Sequence, residues 1–277
     1  MFQKGILRIE RMNIVKREES IGIFDSGIGG VTVLKEIIKI LPNENYIYYS
    51  DSKNNPYGDK TDEEIIEICD KIVSNFIEQK CKTIVIACNT ASAKAAKSLR
   101  EKYPYIPIIA IEPAYKMVYD FAFDKVTLVM ATKGTIESEK FHKLYNKYDN
   151  HKTYLMACQG LADIIEEGNK EKIEKYLKKN LSKYIGKVHN VVLGCTHYPL
   201  LLNKILKYTP RNVRIVPQGE YVAYSLKDYL QRHTEIETLC TQSGTCRFLT
   251  TESPDKFMES ASIFLRQHVE AERVVLE

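Results

Sequence analysis

"VVLGCTHYPL" spans residues 191–200, and its apolar run passes directly into Gly194, Cys195, Thr196 and His197. A second stretch has the same design: "IVIACNT" (84–90) superimposes on "VVLGCTH" (191–197) residue for residue, with Cys88 on Cys195. Short, β-branched, nearly continuous apolar runs read as strands buried on both faces, and the polar residues that follow mark where each strand ends. The two cysteines are 107 positions apart, and a second pair of stretches agrees. "IGIFDSGIGG" (21–30) and "VTLVMATKGT" (126–135) both read strand, small polar loop, helix, with Asp25 and Ala131 106 positions apart. Two offsets that differ by one residue predict two similar halves. The plain alternative is the generic likeness of any two βα units.

The rest of the chain keeps the same rhythm. "YIYYS" (46–50), "IPIIAI" (106–111), "TYLMA" (153–157) and "VRIVP" (213–217) read as further buried strands. Between the strands lie "VTVLKEIIKIL", "TDEEIIEICDKIVSNFIEQ" and "KEKIEKYLKKNLSKYI", with apolar residues three and four apart as amphipathic helices require. Strand and helix in alternation predict an α/β fold, with two similar open-sheet domains facing each other across a cleft. Ligands of open α/β sheets bind beyond the carboxyl ends of the strands. Asp25, Cys88, Thr132 and Cys195 all fall there, so the two halves would pool them in one site.

Composition narrows the class. The 277 residues exceed a typical single domain, and 40 basic against 36 acidic residues leave a net charge of +4 with lysines scattered along the helices. No basic arm is present, so no nucleic-acid partner is expected. The opening "MFQKGILRIERMNIVKREES" lacks the apolar core of a signal peptide, and no run approaches the roughly 18 residues of a membrane span. A cytosolic protein is expected. Cysteines 69, 81, 88, 158, 195, 240 and 246 form no Cys-x-x-Cys pair, and Cys240 and Cys246 have no His partner at zinc-finger spacing. Reduced thiols and no metal site follow.

The motifs then suggest chemistry. Asn89, Thr90 and Ser92 are capping residues, so Cys88 should sit at a helix N-terminus, where backbone amides and the helix dipole lower a thiol pKa. A buried, inert cysteine is the plain alternative. His197 lies two residues after Cys195, and an imidazole can take or return a thiol proton. "DSGIGG" carries Asp25 and Ser26 on a loop whose Gly27, Gly29 and Gly30 let backbone approach a ligand, and its amides can hold a carboxylate. The spacing is not that of a nucleotide loop. "NNPYGDKT" (54–61) is a turn that carries Tyr57 beyond the "YIYYS" strand. Two thiols on opposed halves, one with an acid and one with an imidazole, suit a 1,1-proton transfer. One thiolate removes a hydrogen from carbon while the other thiol returns a proton from the far side.

"DSGIGG", "NPYG", "ACNTAS" and "GCTHYP", in this order and at these separations, are similar to the glutamate racemases, a family within the cofactor-independent aspartate/glutamate racemase superfamily. The resemblance runs from about Ile21 to about Leu265 and includes "FLTTESPDKFMESASIFL" near the C-terminus. It implies a discontinuous first α/β domain of residues 21–113 plus about 219–277, a second domain of 114–218 and an N-terminal extension of 1–20. It implies that Cys88 acts on D-glutamate and Cys195 on L-glutamate, with Asp25 assisting the first thiol and His197 the second. Ser26, Pro56, Tyr57, Gly58, Asn89, Thr90 and Thr196 would hold the amino acid, with Thr132 at the matching strand end. It implies no pyridoxal phosphate, metal or nucleotide cofactor, a homodimer, and a supply of D-glutamate to peptidoglycan. Two segments depart from the family pattern. "CQGLADIIEEG" (158–168) stands for "CPLFVPLVEEG", which maps the family's glutamate near the second thiol onto Glu166. "PQGEYVA" (217–223) stands where "DSGEA" is usual. These departures leave open a preference for aspartate, or an amino-acid-binding homologue without turnover. A cysteine hydrolase built on Cys195 and His197 would leave Cys88 without a role.

Overall fold

The computed structural model describes residues 19–209, 211–237 and 243–275. Cys240 and most of the expected N-terminal extension lie outside the described residues. Among the described residues ten strands form two sheets, and every strand pairing there is parallel. The first sheet comprises β1 (Ile21–Asp25), β2 (Tyr46–Ser50), β3 (Thr83–Ile86), β4 (Ile108–Ala110), β9 (Cys246–Thr250) and β10 (Ala271–Arg273), in the order β10-β9-β2-β1-β3-β4. The second holds β5 (Thr127–Ala131), β6 (Thr153–Ala157), β7 (Asn190–Gly194) and β8 (Arg214–Val216), in the order β6-β5-β7-β8.

The internal repeat is visible in these orders. β2-β1-β3-β4 and β6-β5-β7-β8 are the same arrangement, with Asp25 and Ala131 closing the two equivalent central strands. Two α/β sheets of like topology are thus the fold that the 106- and 107-residue offsets predicted.

The central continuous apolar strands lie where both faces are covered, whereas β6 and β8, read as buried, are the edges of the second sheet and leave Tyr154 and Arg214 exposed. Alternate residues of the first sheet enter opposite cores: Phe24, Ile47, Tyr49, Ile84 and Ile86 on one face, Ile23, Tyr46, Tyr48 and Val85 on the other. The second sheet repeats this, with Leu128, Met130, Val191 and Leu193 facing one way and Val129 and Val192 the other. Helix Asp62–Glu78 shows how the helices cover these faces. Thr61 and Glu64 cap its start reciprocally, and it buries Ile65, Ile72, Val73 and Phe76. Each such side chain contributes about 1.5–3 kcal/mol when removed from water.

Two strands escaped the sequence reading. β9 pairs with β2 and β10 with β9, so the C-terminal segment returns to the edge of the first sheet. Arg247 and Glu272 interrupt these runs and pair with each other at 3.2 Å on the exposed edge. β10 is the edge strand and needs no continuous apolar signature, and the exposed Arg247 breaks that of its neighbour β9. Among the described residues no helix is long and apolar enough to cross a membrane.

Candidate active site

The carboxyl ends of β1, β3, β5 and β7 converge on one cleft between the sheets. Ser26, Cys88, Asn89 and Thr90 line it from the first sheet, together with Pro56, Tyr57 and Gly58 from the loop after β2. Thr132, Cys195, Thr196 and His197 line it from the second. Asp25 and Glu166 stand one step behind this lining, each in contact with a residue of it. The two thiols therefore reach one cleft from opposite sheets.

Cys88 caps helix Asn89–Lys94, and its sulfur accepts the Ala91 N–H at 3.5 Å. Its S–H donates to Ser26 Oγ at 3.6 Å. The expected fall in pKa does not result. Burial, and after it the charge of Asp25, push the Cys88 thiol up to about 12, outweighing the Ala91 amide and Ser26. One amide at the head of a six-residue helix is too little to offset the loss of water around a thiolate. Asp25 is fully buried, and burial raises its carboxyl above the usual range against the pull of the His197 charge, the Gly27 and Gly30 amides and Thr196. Asp25 acts on Cys88 through its charge, while its own oxygens accept from the Gly27 N–H and the Thr196 hydroxyl.

Cys195 has a different neighbourhood. Its sulfur lies 3.7 Å from His197 Nδ1, and His197 Nε2 lies 2.7 Å from Glu166 Oε1. That same oxygen accepts the Ile28 N–H at 2.9 Å. With Nε2–H donating to the carboxylate, Nδ1 is left to receive the thiol proton. Burial alone would lower the His197 pKa, but Cys195 and Glu166 together hold it well above the usual histidine value. Burial likewise works to raise Glu166, yet the hydrogen bond and charge of His197 bring its carboxyl below the usual range.

The glycine loop serves this second thiol from across the cleft. A Cβ on Gly27 would lie 2.1 Å from Glu166 Oε1, and one on Gly29 would lie 2.6 Å from both His197 Nδ1 and Thr196 Oγ1. The sequence reading expected that bare backbone to meet a ligand. It meets side chains of the other half instead, and the Ile28 amide holds a carboxylate that belongs to the protein. Further bonds cross the same boundary: Thr196 Oγ1 donates to Asp25 Oδ2 at 3.1 Å, Thr32 Oγ1 donates to the Thr196 carbonyl at 3.1 Å, and Thr90 and Thr132 share a hydrogen bond of 2.9 Å.

The polar wall is unevenly committed. Asn89 is 3 % exposed and neither atom of its amide has a protein partner, so a buried donor and acceptor are available at the cleft. Tyr57 is different, because its hydroxyl donates to buried Asp51 at 2.6 Å. It offers the cleft a ring and not a polar group. Cys158, Gln159 and Asp163, beyond β6, and Asp59, beyond β2, also line the cleft and were missed. β6 stands in the second sheet where β2 stands in the first, so the strand-end rule applied to it would have found them. Burial, and next the charge of Asp59 across the cleft, raise the Asp163 carboxyl. Among the described residues no group of His, Cys, Asp or Glu could hold a metal ion.

Residues 21–219 match the family described as Asp/Glu/Hydantoin racemase. A glutamate racemase of Clostridium perfringens (strain SM101) is 42% identical over 243 residues, covering 86% of this chain and 93% of that one. A glutamate racemase of Clostridium botulinum (strain Alaska E43) is 38% identical over 248 residues, covering 88% and 96%. Among solved structures, a glutamate racemase from Francisella tularensis in complex with D-glutamate aligns with a TM-score of 0.82 at 31% identity, covering 94% of this chain and 99% of that one. A glutamate racemase isoform from Bacillus anthracis aligns with a TM-score of 0.82 at 30% identity, covering 94% and 98%.

Proposed function

The chain belongs to the Asp/Glu/Hydantoin racemase family, and on that premise we propose that it interconverts L- and D-glutamate by proton transfer between two thiols. The observation that carries this reading is that Cys88 and Cys195 line one cleft from opposite sheets, with His197 Nδ1 3.7 Å from the Cys195 sulfur and the charge of buried Asp25 acting on the Cys88 thiol. From L-glutamate, the Cys195 thiolate takes the α-hydrogen while the Cys88 S–H gives its proton to the opposite face of the carbon. The C–H bond breaks at one sulfur and the new C–H bond forms from the other, leaving Cys195 protonated and Cys88 a thiolate. The reverse reaction exchanges the roles. His197, held by Glu166, receives and returns the proton of Cys195, and Asp25 does so for Cys88.

The charge that develops on carbon needs donors placed before the reaction begins. The Asn89 amide, which has no protein partner, supplies one, with Ser26, Pro56, Tyr57, Gly58, Thr90, Thr132 and Thr196 shaping the wall. The two sheets support a division into a first domain of residues 21–113 with about 219–277 and a second of 114–218. The protein acts in the cytoplasm as a homodimer, and its D-glutamate enters peptidoglycan.

The test is deuterium exchange in D2O with no added cofactor. Both enantiomers of glutamate should incorporate α-deuterium and racemise. Cys88→Ser and Cys195→Ser should each lose racemisation, and undiminished activity in both would overturn the mechanism. Chiral analysis with aspartate beside glutamate decides the substrate, since preferential turnover of aspartate would reassign it.

A further inference from the structure

Asp51 lies outside the cleft, yet the wall that carries Tyr57 is tied to it. Its backbone N–H donates to the Asp25 carbonyl at 3.0 Å, so it stands at the strand ends beside the acid of the first thiol. Its carboxylate is fully buried and accepts from the Tyr57 hydroxyl at 2.6 Å, from Asn54 Nδ2 at 3.0 Å and from Thr251 Oγ1 at 3.0 Å. Thr251 Oγ1 in turn accepts the Lys53 N–H at 3.0 Å. One carboxylate therefore joins both ends of the 53–57 loop to the residue that follows β9. Hydrogen bonds to an ionised acceptor are shorter and about twice as strong as neutral ones. Such an acceptor fixes a short loop better than a hydroxyl or amide in its place.

The clamp bears on the cleft through the Tyr57 ring. That ring is 2 % exposed and packs in the same core as Cys88. Gly58 carries the wall onward to Thr132 of the other half, where a Cβ at Gly58 would stand 3.6 Å from the Thr132 Cβ. A shift of Tyr57 would thus move the surface between the two halves while leaving the partners of Cys195 untouched.

We propose that Asp51 is a positioning residue that sets the Pro56–Gly58 wall against bound substrate, with Thr251 of the C-terminal segment as part of the clamp; this presupposes that the cleft is the substrate site. Acting through the wall, Asp51 governs ground-state and transition-state binding alike. Loss of the clamp should therefore raise KM more than it lowers kcat.

The experiment measures glutamate racemisation by Tyr57→Phe, Asp51→Asn, Thr251→Val and their double variants, with folding followed by thermal melting. Tyr57→Phe should raise KM by about 10-fold or more, the scale of one hydrogen bond to a charged group, with kcat within about threefold. Tyr57→Phe combined with Asp51→Asn should be no worse than the worse single variant, because both break the same bond. Thr251→Val should shift KM in the same direction by less. If Asp51→Asn does not fold, non-additivity between Tyr57→Phe and Thr251→Val carries the test, since both hydroxyls bond the Asp51 carboxylate. An unchanged KM in folded Tyr57→Phe, or KM increases that multiply independently, would overturn the clamp. A wild-type protein without turnover on glutamate would instead overturn the reading of the cleft.

Discussion

The two thiols occupy equivalent ends of equivalent strands, and their surroundings differ. Cys88 is held by Ser26 and a helix amide, with a buried carboxyl as its charged neighbour. Cys195 faces an imidazole that a second carboxylate holds. Duplicated backbone placed the sulfurs, the loops of each half supplied their neighbours, and the opposite half bonds the carboxyl groups behind them. Asp25 of the first half bonds Thr196 beside the second thiol, and Glu166 of the second half is held by Ile28 of the first. Each of these carboxyl groups is therefore bonded from across the boundary.

The comparison can be broken most severely at the sulfurs. Cys88→Ser and Cys195→Ser should each lower racemisation by about 10²–10⁴-fold, the range of a positioned proton-transfer group, as read by chiral chromatography. They should differ in which enantiomer still yields its α-hydrogen to D2O, D-glutamate being spared by Cys195→Ser and L-glutamate by Cys88→Ser. The two enantiomers are equal in free energy, so kcat/KM stays equal in both directions. Asymmetry between the halves must then appear in exchange and in kcat, not in kcat/KM.

Glu166→Gln sharpens the comparison, since it alters one thiol's support alone. It should cost about 1–3 kcal/mol of stability at neutral pH, measured by denaturant unfolding, because a charged acceptor inside the protein becomes neutral. The lowered Glu166 carboxyl contributes stability above its unfolded value, lost as pH falls through the folded one. The raised His197 pKa contributes stability fully present below its unfolded value near 6.5 and lost as pH rises through the folded one. The gap between wild type and variant should therefore be widest from weakly acidic to neutral pH and narrow on both sides.

Gly29→Ala tests whether the first half must be bare where it meets the second. Its Cβ would press within 2.6 Å of His197 and Thr196, so it should destabilise by about 1–3 kcal/mol and lower kcat. Gly58→Ala is the contrasting case. Its Cβ would meet Thr132 at an ordinary 3.6 Å, and thermal melting should register a change within about 0.5 kcal/mol.

The buried strands, the repeat and the position of each thiol were legible because their signals are local. A continuous apolar run ending in polar residues needs only neighbouring letters to be read. β9 and β10 were not legible, since β10 is an edge strand and Arg247 of β9 pairs with its Glu272 in water, which breaks the apolar run in both. Asp51 was equally hidden, because its role arises from Thr251, 200 positions away.

The sequence by itself determined an α/β chain built twice over, with a cysteine beyond the third strand of each half. Only the tertiary structure decided what each cysteine became. The helix-terminus rule points the Cys88 pKa down, and burial beside Asp25 takes it up. Glu166 reaches both His197 and the Ile28 amide 138 residues away through packing that no local pattern encodes. Strand formation depends on a few adjacent side chains, whereas proton affinity depends on every charge, dipole and displaced water around the group, and the fold alone brings those together.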